Sequence, residues 1–191
     1  MRRENQIRLL IVLGLTLLLA ISGTVAYFTA SETAHNIVST QGVNIEIYEY
    51  ASPDGSKPFS ELSNIATNVT YSKIPYVENI DIEPVWVRSK IILKRKVGDV
   101  ETIIDDYFSL MEIGEKGENW TLADDGFYYY NSALSGGEKT EPLFKTVQFK
   151  DGLDNIYMDA LFSLTVSVEA TQSANNGTSA INATWGESGG F

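Results

Sequence analysis

LFSLTVSVEAT, Leu161–Thr171, alternates without a break: Phe162, Leu164, Val166, Val168 and Ala170 fall on one side, Ser163, Thr165, Ser167, Glu169 and Thr171 on the other. A period of two over eleven residues reads as a long strand with one face in a core and one in water, the signature of an antiparallel sheet. Working outward, PVWVRSKIILKRKV (84–97) repeats the pattern, with Val85, Val87, Ile91 and Leu93 on one face and Trp86, Arg88, Lys90, Ile92 and Lys94 on the other. Ser89 alone interrupts its apolar side. Gly42 opens VNIEIYEY, in which Val43, Ile45 and Ile47 alternate with Asn44, Glu46 and Tyr48. These three segments already demand a two-layered β structure.

The remaining stretches supply shorter strands and turns. NVTYSKIPYV (68–77) and Leu143–Phe149 are strand candidates, and Pro75 and Pro84 mark strand starts or edges. Trp120–Leu122 and Phe127–Tyr130 flank an Asp-Asp-Gly turn at 124–126 and predict a hairpin, while ASPDGSKP (51–58) is a turn-rich loop. ETIIDDYFSLMEI (101–113) changes period: Ile103, Ile104, Tyr107, Phe108 and Met111 predict a short amphipathic helix or a 3₁₀-like excursion. After the long strand the chain turns small and polar, with Trp185 placed to fold back onto the sheet. The expected fold is all-β with one short helix in an insertion, an antiparallel jelly-roll-like β-sandwich over residues 42–191.

The N-terminus is different in kind. Arg2, Arg3 and Arg8 precede an apolar core from Leu9 to Ile21, and Thr24 and Ala26 stand at the −3 and −1 positions of a signal-peptidase site before Tyr27. Residues 1–26 are therefore expected to be a signal helix that is removed; uncleaved, the 20 residues Leu9–Phe28 just suffice to span a bilayer and would anchor the chain. Either way the rest is exported, because the positive flank stays inside. Tyr27–Gln41, with short polar side chains and no helical stripe, reads as an extended arm.

Composition narrows the chemistry. The full chain carries a net charge of −11; without residues 1–26, which hold three Arg and one Glu, 11 basic face 24 acidic residues, a net of −13. Such a chain does not suit nucleic acid or anionic lipid. There is no cysteine and a single histidine, His35, so thiol catalysis, cysteine metal sites and a two-histidine zinc motif are excluded. His35 with Glu32 and Asn36 falls short of a four-ligand site. The acidic pairs Asp105/Asp106 and Asp124/Asp125, and the neighbours Asp151 and Asp154, lack calcium-loop spacing and read as turn residues, though a carboxylate pair is also what a glycosidase would use. The run Phe127–Tyr130 has two readings, a stacking surface for sugars or bases and alternate core and surface positions of one strand. Four N-x-[ST] sequons, at Asn68, Asn119, Asn176 and Asn182, would carry glycans in a eukaryotic secreted protein and are chance matches in a bacterial one.

Several segments taken in order resemble one family. Gly23-Thr24-x-Ala26 followed by Tyr27-Phe28, then KIPYVENIDIEPVWVRSKI (73–91), DGFYYYNSALSGGEKTEPLF (125–144) and SLTVSVEATQ (163–172) followed by Ala180 and Trp185-Gly186, are similar to the TasA/CalY (camelysin) proteins, especially the alternate-signal-mediated exported branch. The resemblance implies processing by a SipW-type signal peptidase, a jelly-roll sandwich, and a secreted fibre subunit of a Gram-positive cell surface or biofilm matrix. It also implies that the freed N-terminus is donated as a strand to a neighbouring subunit. By position that strand is Tyr27 to about Thr40, with Phe28, Ala30, Ala34 and Val38 on one parity beside the terminal Tyr27. Metalloprotease activity described for some members is not carried over, because the histidines are missing. The expectation is thus a non-enzymatic, cofactor-free fibre subunit whose partners are the signal peptidase and further subunits, with membrane contact only through an uncleaved signal segment. The alternatives are a monomeric surface adhesin or fibre anchor and, below it, an exported hydrolase using a carboxylate pair.

Overall fold

The computed structural model describes residues 36–40, 43–59, 66–151 and 160–186; the signal segment and most of the arm lie outside these. Among the described residues the chain forms eleven strands: β1 (Asn36–Thr40), β2 (Val43–Tyr50), β3 (Thr70–Ser72), β4 (Ile74–Asn79), β5 (Val85–Val97), β6 (Val100–Ile104), β7 (Met111–Gly114), β8 (Trp120–Leu122), β9 (Tyr128–Tyr130), β10 (Thr146–Phe149) and β11 (Leu161–Gln172). Every ladder is antiparallel. The two long alternating segments find each other: β11 pairs β5 from Leu161↔Lys96 to Gln172↔Val85. The other side of β5 is shared, β9 pairing at Arg88 and Ser89 and β6 from Leu93 to Val97, while β8 continues outward from β9.

The second layer is assembled from two three-stranded sheets, β1-β2-β4 and β3-β10-β7. The stretch 137–145 stitches them together. Its backbone bonds run along β4 (Thr140 N to Val77 O, 2.8 Å; Leu143 N to Pro75 O, 2.9 Å), and Lys73 N then donates to Lys145 O at 3.1 Å. The predicted strand 68–77 is accordingly two strands interrupted at Lys73. That residue turns its side chain into the interior, where it meets Glu49. Pro75 lies within β4 rather than at its start, with its carbonyl serving residue 143.

The core sits between the layers. Val43, Ile45, Ile47 and Val77 from one face meet Val85, Val87, Ile91, Leu93, Val166, Val168 and Ala170 from the other, all on the parity that alternation assigns inward; Phe162 and Leu164 of that parity are partly buried, and Trp86, Arg88, Ile92 and Thr171 on the opposite face are buried as well. The protein is an all-β antiparallel sandwich. Ser89, the exception on the inward face of β5, is 1% exposed and satisfied, its Oγ donating to Ser167 O at 3.0 Å.

Of the two forms expected over 101–113, the 3₁₀ excursion is the one that occurs, as a single turn at Tyr107–Ser109 between strands β6 and β7. Val97-Gly98-Asp99-Val100 closes a two-residue connection, with Gly98 at φ 58°, and β6 folds back onto the free half of β5. Thr102, Ile103 and Ile104 are β-branched, and an available partner edge outweighs a short helical coincidence. Tyr107, Leu110 and Met111 still reach the core.

Candidate functional site

Three constellations outside the main core bear on function. The first is the edge of the sheet at β1. Asn36–Thr40 pairs β2 in the register Asn36↔Ile47 to Thr40↔Val43, which sets Val38 opposite Ile45. Among the described residues β1 is the outer strand of its sheet. Of the candidate donor-strand residues, Tyr27, Phe28, Ala30 and Ala34 lie outside the described residues, as do the cleavage-site residues Thr24 and Ala26; Val38 alone is located. The last five residues of the candidate arm are therefore part of this chain's own sheet.

The second is a clamp around Arg88 on the outer face of β5. Arg88, 7% exposed, lies between two rings, its Cζ 4.1 Å from the centroid of Phe127 and 4.4 Å from that of Trp185. Its Nε and Nη2 donate to Glu169 Oε2 at 2.8 and 2.5 Å. Tyr129 O–H donates to Asp125 Oδ2 at 2.6 Å, and Asp125 Oδ1 accepts the Phe127 N–H at 3.0 Å, so this carboxylate both forms the turn and positions a ring. Those two hydrogen bonds, with the Arg88 charge, hold the Asp125 carboxyl below its ordinary range although burial, the largest single influence, pushes the other way.

Residues 173–186 roof the clamp. Asn176 ties them down: the two N–H groups of its Nδ2 are shared among Thr171 Oγ1, Gln172 O and Thr184 O, each at 3.1 Å, and its Oδ1 accepts Thr184 N–H at 2.7 Å. Trp86 Nε1 donates to Asn176 O at 2.8 Å. Trp185 does fold back onto the sheet, packing 6.0 Å from Tyr129. All four members of the run Phe127–Tyr130 are buried, Tyr128 and Tyr130 in the main core, Phe127 and Tyr129 under this roof. Both faces of the strand are thus covered, where alternation predicts one wet face.

The third is a row of tyrosines on the outward face of β2 and β4. Tyr48 and Tyr76 are register partners with ring centroids 5.3 Å apart and 16° between planes; Tyr50 lies 5.6 Å from Tyr76 at 20° and 6.5 Å from Tyr48 at 4°. Lys139 Nζ sits 5.0 and 5.3 Å from the Tyr48 and Tyr76 centroids and 3.3 Å from Glu78 Oε2, while Tyr48 O–H donates to Glu46 Oε2 at 2.6 Å. The Glu46 hydrogen bond raises the Tyr48 phenol above its ordinary value, and burial does so for Tyr76, so both stay neutral. The outward parity of Tyr48 and Tyr50 is readable from β2; that Tyr76 joins them depends on the register, which no local pattern contains.

The remaining carboxylates take structural places. Asp106 precedes the 3₁₀ turn and its carbonyl accepts the Ser109 N–H and hydroxyl; Asp151 Oδ1 accepts Thr67 Oγ1–H at 3.4 Å; Asp154 and His35 lie outside the described residues. Among the described residues no three His, Asp or Glu side chains gather as metal ligands would. The void between the layers lined by Ile47, Val77, Ser89, Trp120 and Val168 is too small to hold water. Comparison with family models, with curated protein sequences and with solved structures gave no match.

Proposed function

We propose that this chain is an exported structural subunit of a surface or matrix fibre, freed by cleavage after Ala26 and assembled by donating its N-terminal arm to a neighbouring copy. The observation that carries this reading is the position of β1. The last residues of the candidate donor strand, Asn36–Thr40, form the outer strand of their sheet among the described residues. Residues 27–35 precede that strand in the sequence, and nine residues, if extended, would reach about 30 Å, enough to cross a neighbouring sheet. An exposed edge supplies main-chain hydrogen bonds to an incoming strand whatever its sequence. A head-to-tail contact of this kind does not close and so propagates. The leader's n-region and its Thr24/Ala26 site, the acidic surface and the similarity to TasA/CalY proteins support export and a non-enzymatic role.

A second reading, a monomeric surface adhesin or anchor, draws on the pairing of residues 36–40 within their own chain. The test is the mass of the exported protein. An N-terminus at Tyr27 is expected; a chain that retains Met1 contradicts assembly through a freed arm.

A further inference from the structure

We propose that Asn176–Gly177 is a site of spontaneous deamidation whose product holds the roof of residues 173–186 open. Of the chain's asparagines, Asn176 alone precedes a glycine. Separate demands of the roof fix the two residues in that order. Asn176 is needed for its side-chain amide, which bridges Thr171, Gln172 and Thr184. Gly177 is needed for its backbone: φ is 74°, and a Cβ there would lie 2.7 Å from Asn182 O, closer than such atoms approach. The turn therefore carries a dipeptide in which no β-carbon shields the second backbone nitrogen from the asparagine Cγ.

The reaction needs only water. The Gly177 nitrogen loses its proton and bonds to Asn176 Cγ, and the side-chain amide nitrogen leaves as ammonia. Water then opens the cyclic imide at either carbonyl, giving aspartate or isoaspartate. Gly177 is exposed, and its N–H donates to no group among the described residues, so the nucleophile is at hand. The electrophile is held back. The Asn176 amide is bonded through both its nitrogen and its oxygen, its N–H donates to Ser173 O at 3.2 Å, and its carbonyl accepts Trp86 Nε1–H at 2.8 Å. Swinging Cγ onto Gly177 breaks the amide's bonds, so reaction passes through a state in which the roof has opened locally. The carboxylate that results cannot donate and faces Gln172 O and Thr184 O, so the roof does not re-form and Trp185 leaves Arg88. A reversible opening thereby becomes permanent. This chemistry does not depend on how the chain assembles.

The experiment is incubation of the exported protein in warm, mildly alkaline buffer, folded and in guanidinium, followed by cleavage after glutamate and mass spectrometry of residues 170–187. Conversion of Asn176 should be at least tenfold slower in the folded protein than in the unfolded one. Trp185→Ala, which frees the roof from Arg88 without touching the Asn176 amide, should speed the folded reaction at least threefold. Far-ultraviolet circular dichroism verifies that this variant keeps its sheets; if it unfolds, Thr171→Val, which removes one acceptor of the amide, replaces it and should also speed conversion. The deamidated parent should fluoresce to the red of the fresh protein. Equal rates folded and unfolded, a folded variant that converts no faster than the parent, or deamidated protein with an unshifted spectrum would overturn the assignment.

Discussion

Arg88 and Glu169 are register partners across the β5–β11 ladder, and the guanidinium Nη2 lies 2.5 Å from Glu169 Oε2 with both side chains largely buried. On alternation alone both belong to the wet face of the sheet. They are instead the polar centre of a second, smaller core, because Phe127 and Trp185 close over the guanidinium from two sides.

Breaking this pair from one side should cost more than removing it. Glu169→Ala leaves a cation between two rings with its principal acceptor gone, a loss of about 3 kcal/mol. Arg88→Met with Glu169→Leu should lie within about 1 kcal/mol of the parent, since the rings then cover an apolar side chain. Urea unfolding of the three proteins measures both.

The roof depends on one amide. Asn176→Asp replaces the amide's two N–H donors with a carboxylate oxygen facing two carbonyl oxygens, Gln172 O and Thr184 O. A loss of about 2 kcal/mol is expected, with Trp185 fluorescence shifting to the red as the indole leaves Arg88. An unshifted spectrum with full stability would show that the roof is held by other contacts.

Lys73 and Glu49 make the same argument inside the main sandwich. Lys73 is 1% exposed, its ammonium 2.6 Å from Glu49 and 4.0 Å from the Phe59 ring centroid, and burial lowers its pKa while Glu49 opposes that shift. Glu49→Ala should cost about 3 kcal/mol near neutral pH and Lys73→Met far less. The lowered folded-state value means the folded protein holds fewer protons than the unfolded one just below the ordinary lysine value of 10.5. The penalty of a charged Lys73 therefore stands in full at low pH and is relieved as pH rises toward that value. The stability gap between parent and Glu49→Ala should narrow on that side.

Absolute stability should move the other way in alkali. The phenols of Tyr48, Tyr76, Tyr107, Tyr128 and Tyr129 are all raised above 10.0, by burial at every site except Tyr48, where the Glu46 hydrogen bond leads. Unfolded chains ionise these groups first, so the folded state binds more protons and stability falls as pH rises beyond about 10. Tyrosinate absorbance should show these five phenols silent near pH 10 and released together on unfolding.

Much of this was legible from one-dimensional pattern. Strict alternation located β2, β5 and β11 with their inward residues, and Asp124–Gly126 located the β8–β9 hairpin. What escaped was set by partners distant in sequence. The free half of β5 drew residues 100–104 into a strand despite their helical spacing. The ion pair at Lys73 divides what reads as one strand, and Arg88, Tyr129 and Trp185 meet only once the roof is in place. The edge position of β1 was equally invisible, because the shared parity of Phe28, Ala30, Ala34 and Val38 does not say which strand the arm pairs with.

The central claim, assembly through residues 27–35, is tested most directly by sedimentation velocity and negative-stain microscopy of two proteins, one beginning at Tyr27 and one at Asn36. The first should give concentration-dependent filaments, and the second, with β1 and the sandwich intact, should remain monomeric. Monomers from the Tyr27 protein at every concentration, or filaments from the shorter one, would contradict it.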